Sequence, residues 1–134
     1  MDRVSKSIFT AIGTGVLLSG CDMLLGCRNQ VLEEVPAPSK PLRAVIFQRD
    51  CGATTGFSTQ VSVLPAGARL PAAHGNAFDA STDRGAAPSG TGGGPEVSVR
   101  WVDDARLLIR HHQKAHIHFA HTEVDGITIE YGLL

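Results

Sequence analysis

The chain of 134 residues has no apolar run of the length, about 20 residues, that a helix needs to cross a bilayer; the run near its start, Ile8 to Leu18, is too short. It also has no excess of charge. Twelve lysines and arginines face thirteen aspartates and glutamates, a formal net charge of −1, so neither nucleic acid nor an anionic membrane surface is expected as a partner. Its three cysteines form no Cys-x-x-Cys motif, which removes thioredoxin-like redox chemistry from consideration. The run Ser89-Gly90-Thr91-Gly92-Gly93-Gly94 is followed by no lysine and no opening helix, which excludes a phosphate-cradling loop. No serine or threonine is tied by sequence to a base and an orienting group. The chain is therefore expected to be no enzyme.

What is present begins at the amino terminus. Arg3 and Lys6 precede the short apolar run, and the small residues Ser19 and Gly20 precede Cys21, the layout of a secretory signal rather than a span. Leu18-Ser19-Gly20-Cys21 resembles the lipobox of bacterial lipoproteins. That resemblance implies a signal peptide over 1–20, cleavage before Cys21, a diacylglyceryl group on its sulfur, and an acylated new amino terminus. Loss of 1–20 removes Asp2, Arg3 and Lys6 and leaves a net charge of −2. The chain is then expected to be anchored to a membrane, without spanning it, on the extracytoplasmic side of the bacterial cell envelope. In lipoproteins of enteric bacteria an aspartate directly after the cysteine favours retention at the inner membrane, and Asp22 stands there.

With Cys21 lipidated, Cys27 and Cys51 remain as an even pair in an oxidising compartment, where a disulfide is expected. Closing a loop of about 25 residues contributes roughly 3 kcal/mol in the chain-entropy model, a useful supplement for a small core. The alternative is a reactive thiol at Cys51 whose thiolate is favoured by Arg49.

Residues 21–30 form a lipidated terminus and tether, and 31–134 form a single domain, since about 114 residues suffice for one modest core. Its pattern is β. Strands are predicted at Val31 to Val35, Leu42 to Gln48, Phe57 to Leu64, around Asn76 to Ala80, Val97 to Val102, Ala105 to His112, His116 to Glu123 and Ile127 to Tyr131. Phe57, Thr59, Val61 and Val63 alternate with Ser58, Gln60 and Ser62, which predicts a strand with one solvated face. Apart from the strand around Asn76 to Ala80, the sequence loses periodicity between Pro65 and Pro95, and about 79–95 are expected to be a flexible insertion. The last two strands are expected to pair as a hairpin with a three-residue loop, Glu123 opposite Ile127 and Phe119 opposite Tyr131. The expected fold is all-β, a small antiparallel meander or sandwich of six to eight short strands after a signal helix.

Two clusters could carry function. Arg49, Asp50, Thr54, Thr55 and Ser58 surround Cys51 as a polar loop, either satisfying its own backbone or offering a recognition surface to a polar envelope ligand or protein. Five histidines fall within 111–121. In the expected hairpin, His116 and His118 share the solvent face with Glu130, a geometry that could take zinc or copper; the plainer reading is that an exposed strand face needs polar residues and histidine serves there without binding anything. His74 stands alone in a loop.

The segment AVIFQRDCGATTGFSTQVSVLP (44–65), with EEVPAPS (33–39), GNAF (75–78) and VSVRWVDDARLLI (97–109), resembles a family of small bacterial lipoproteins of unknown function. The resemblance implies a small extracytoplasmic domain with a cysteine in its first half, matching Cys51, and no activity to transfer. The histidine-rich strand and 79–95 lie outside the likeness.

Overall fold

The structure is a computed structural model that describes residues 26–52 and 56–134. The signal segment, Cys21, Asp22, Thr54 and Thr55 lie outside the described residues. Among the described residues nine strands form: β1 (Arg28–Pro36), β2 (Leu42–Asp50), β3 (Phe57–Pro65), β4 (Phe78–Ser81), β5 (Val97–Asp103), β6 (Arg106–His111), β7 (His116–Ala120), β8 (Glu123–Val124) and β9 (Ile127–Leu133). Among the described residues no helix forms. The first sheet runs β1-β2-β3-β4-β7 and the second β5-β6-β9-β8. The fold is thus the all-β, sandwich-like one expected, with one strand more than predicted.

Alternation builds the core. Ala44 and Ile46 of β2, Val61 and Val63 of β3, and Phe78 and Ala80 of β4 face Trp101, Leu107, Ile109, Ile127 and Ile129 of the second sheet in one buried cluster. Each large side chain so buried contributes about 1.5–3 kcal/mol before the entropy of ordering it. Polar contacts fix the relation of the sheets. Trp101 Nε1 donates to Val35 O at 2.9 Å. Asp104, in the β5–β6 turn, accepts from Ser39 N at 2.8 Å and from the Ser39 hydroxyl, which clasps the proline turn of 36–41 to the second sheet. The Ser39 hydroxyl also holds the Asp104 carboxyl below its ordinary value.

β3 departs from the expected half-buried strand. Gln60 and Ser62, placed on the solvated side by their alternation, are buried like their apolar neighbours. The loop of residues 66–76 folds over that outer face and covers a second small cluster of Val45, Phe47 and Leu64, with Leu70 against it. Arg43 Nη2 holds the loop through Ala68 O at 2.6 Å, and Asn29 Nδ2 through Pro71 O and Ala73 O at 2.9 and 2.7 Å.

Residues 79–95 are part of the fold rather than an insertion. They begin inside β4, which lies between β3 and β7, and the glycine run is closed by a bridge between Ser89 and Pro95. A Cβ on Gly94 would stand 2.5 Å from Thr59 Oγ1 and 2.9 Å from Thr59 N. Glycine there permits the strand and the loop to touch.

The expected second hairpin is also corrected. Asp125 and Gly126, both at positive φ (50° and 80°), form a two-residue turn that pairs Val124 with Ile127. That register would put Ile117 and Phe119 on the wrong face of a continuous hairpin. The chain resolves the conflict by dividing the strand: β8 stays with β9, while β7 pairs with β4 in the other sheet. β9 takes β6 as its parallel neighbour. Tyr131 secures the crossing, its hydroxyl donating to His121 O at 2.6 Å with Ala77 O at 3.2 Å. Burial pushes this phenol up to about 12.

Candidate functional site

The outer face of the first sheet is left uncovered beside the loop of residues 66–76, and the opening is a groove of about 690 Å³. Its floor follows from register. Arg49 of β2 lies opposite Ser58 of β3, which lies opposite Ser81 of β4; Gln60 lies opposite Asp79, which lies opposite Phe119 of β7. One wall is His74 and Gly75 of the covering loop. Gly75 N donates to Gln60 Oε1 at 2.7 Å, and a Cβ on it would stand 2.7 Å from Val61 O, so a larger residue would lift this wall.

β7 forms the other wall through a bulge. Asp79 opposes Phe119 but Ala80 opposes Ile117, which leaves His118 as the extra residue. Such a bulge re-aims side chains and is common beside functional sites. Here it sends Ile117 to the core and turns Phe119, with His118, into the groove. One end of the groove is closed by Cys51, bonded to Cys27, and by Phe57. Phe57 is 43% exposed and borders a second hollow of about 540 Å³ that reaches Arg84 and His116.

Two buried charges meet on this floor without pairing. Arg49 and Asp79 are 8% and 6% exposed. Arg49 Nη1 donates to Asn29 Oδ1 at 2.8 Å, toward β1, while its Nε has no hydrogen-bond partner among the described residues. Asp79 Oδ1 likewise has none; its Oδ2 is 3.9 Å from His74 Nδ1. Gln60 is already engaged, its Nε2 with Ser58 Oγ at 2.9 Å and its Oε1 with Gly75. Burial raises the Asp79 carboxyl above its ordinary value, opposed in decreasing order by His118, His74, Ser58 and Arg49.

That shift has a consequence for stability. A carboxyl whose folded pKa is raised binds its proton more tightly when folded. Its ionisation therefore costs no stability below the unfolded value of 3.8 and progressively more as pH rises through the folded pKa. Asp79→Asn is expected to raise the melting temperature at pH 7 by a few degrees. The gain should vanish below about pH 3.8, and melting curves across pH check it; an unchanged or lowered melting temperature at pH 7 would show that the carboxylate is stabilised where it lies.

Of the sequence-predicted residues, Arg49 and Ser58 line the groove with Cys51. Asp50 turns back on its own loop, accepting from Gly52 N at 2.9 Å. The disulfide of Cys27 with Cys51 removes the thiol on which the reactive-cysteine alternative depended. The His116, His118, Glu130 metal geometry is not formed. The two histidine rings lie 4.7 Å apart, but Glu130 sits in the other sheet opposite Leu108, 3.5 Å from Arg106. Among the described residues no three His, Cys, Asp or Glu side chains are grouped to hold a metal ion. Asp79, Gln60, His74 and Phe119 were not legible as site residues. The available signal was Asp79 itself, an acid between Phe78 and Ala80 in a strand otherwise fit for burial. Comparison with protein-family models, curated proteins and solved structures yields no match to this chain.

Proposed function

We propose that this chain is a lipid-anchored lipoprotein of the bacterial cell envelope. Its β domain acts as a non-enzymatic binding module for a polar ligand or partner protein. Cys21 carries the anchor on the extracytoplasmic side, and Asp22 favours the inner membrane. The resemblance of residues 44–65 to a family of small bacterial lipoproteins supports this reading. The observation that carries it is the division of the cysteines. Leu18-Ser19-Gly20-Cys21 offers one to lipid, and the other two are joined in a disulfide, a bond that persists in oxidising compartments. The groove supports the binding role: it combines a few convergent polar groups with aromatic walls, and its size falls in the range of ligand sites.

Metabolic labelling with a radioactive fatty acid tests the anchor. The native chain is expected to take up label and to lose residues 1–20, whereas Cys21→Ala should take up none and keep them. An unlabelled native chain, or label retained by Cys21→Ala, would overturn the proposal.

A further inference from the structure

Buried charges are costly unless something answers them. On the groove floor a cation and an anion, each more than nine-tenths buried, are held apart. Asn29 draws the Arg49 guanidinium toward β1, whereas Asp79 lies on β4 with β3 between them. Their Cα positions are therefore two strand spacings apart across the sheet, about 10 Å, and further along the diagonal. No ion pair joins them, and each keeps one buried polar atom without a partner among the described residues.

From this we infer that the groove receives a short linear peptide with both ends free, its carboxylate on Arg49 and its ammonium on Asp79; the inference rests on the binding-module reading above. Arg49 uses Nη1 for Asn29, which leaves the Nε–Nη2 edge, the side that meets a carboxylate with two parallel hydrogen bonds. Asp79 offers Oδ1 to an ammonium.

The chemistry of the floor disfavours other ligands. The floor is neutral as a pair, so a purely anionic or cationic ligand would satisfy one charge and leave the other buried beside a like charge. A neutral sugar would hydrogen-bond both groups through its hydroxyls but bring an opposite charge to neither. A peptide of two or three residues holds its two charges further apart than a single α-amino acid does, which suits groups carried on β2 and β4 with β3 between them. Phe57 and Phe119, at the groove's end and wall, supply apolar faces for the side chains, and the polar hollow beyond Phe57 gives room for a longer residue.

Titration calorimetry of the full chain in detergent tests this with Ala-Ala, Ala-Phe and Phe-Ala. Each is compared with its N-acetylated form, which lacks the ammonium, and its C-terminal amide, which lacks the carboxylate. At least one free peptide is expected to bind, and each cap should weaken it about tenfold or more. Arg49→Gln should abolish the difference between free and amidated peptide, and Asp79→Asn the difference between free and acetylated peptide. Asp79→Asn is expected to fold at least as well as the native chain, so the second comparison stands if Arg49→Gln misfolds. Capped peptides that bind as tightly as free ones, or no binding of any free peptide at about 10 mM, would overturn the inference. A lipidated chain that binds no peptide would leave the anchored module standing. A peptide-binding chain without lipid on Cys21 would do the reverse.

Discussion

Phe78→Ala is expected to lower the free energy of unfolding by about 3–5 kcal/mol, the range for removing a fully buried aromatic side chain. Phe78 has no exposed surface. It sits on the four-residue β4, which joins β3 to β7. Its ring stacks on His111 at 5.6 Å and meets Tyr131 at 5.8 Å, both from the second sheet. The loss would open a cavity where the two sheets touch and where the covering loop returns to the strand that carries Asp79. A domain of this size has about 5–15 kcal/mol in all, so the variant should be close to unfolding at 37 °C. Urea denaturation gives the difference directly. A loss below about 1 kcal/mol would mean that β4 is not the link between the sheets.

Replacing both Cys27 and Cys51 with serine is expected to cost about 3 kcal/mol. The bond spans a sequence separation of 24 residues, and it continues the β1–β2 ladder beyond the pair Arg28 and Asp50. In the chain-entropy model it acts by restricting the unfolded chain. It acts locally as well, because Cys51 closes one end of the groove and Asn29, two residues from Cys27, engages both Arg49 and the covering loop. The melting temperature should fall by about 10–20 °C, and reductant should lower the native protein toward the variant while leaving the variant unchanged. If the variant melts with the native protein, the staple contributes nothing to the fold.

The strands whose alternation is local were legible. Val97, Trp101, Leu107 and Ile109 announce β5 and β6, and Val45-Ile46-Phe47 announces a strand covered on both faces. Where the sequence misled, a distant segment decided. The polar face of β3 reads as solvated because nothing near it shows that residues 66–76 will lie across it. The glycine run reads as flexible because composition does not distinguish glycines that let chains move from glycines that let chains touch. The histidine strand reads as half a hairpin because Asp125-Gly126 is a strong hairpin signal, and it is indeed a hairpin turn, but one that ends after two residues. The bulge at His118 completes the divergence by separating Ile117 from Phe119. The site followed the same rule: Arg49 and Ser58 flank the cysteine and were visible, whereas Asp79 and His74 reach the groove only through the pairing of β3 with β4 and the path of the loop.

The most direct measurement is the intact mass of the native protein taken from membranes, with and without reduction and alkylation. A chain that lacks residues 1–20, carries lipid on Cys21 and shows two thiols only after reduction is the result expected of an anchored, disulfide-linked module. An unlipidated mass, or a thiol on Cys27 or Cys51 that alkylates before reduction, would contradict it.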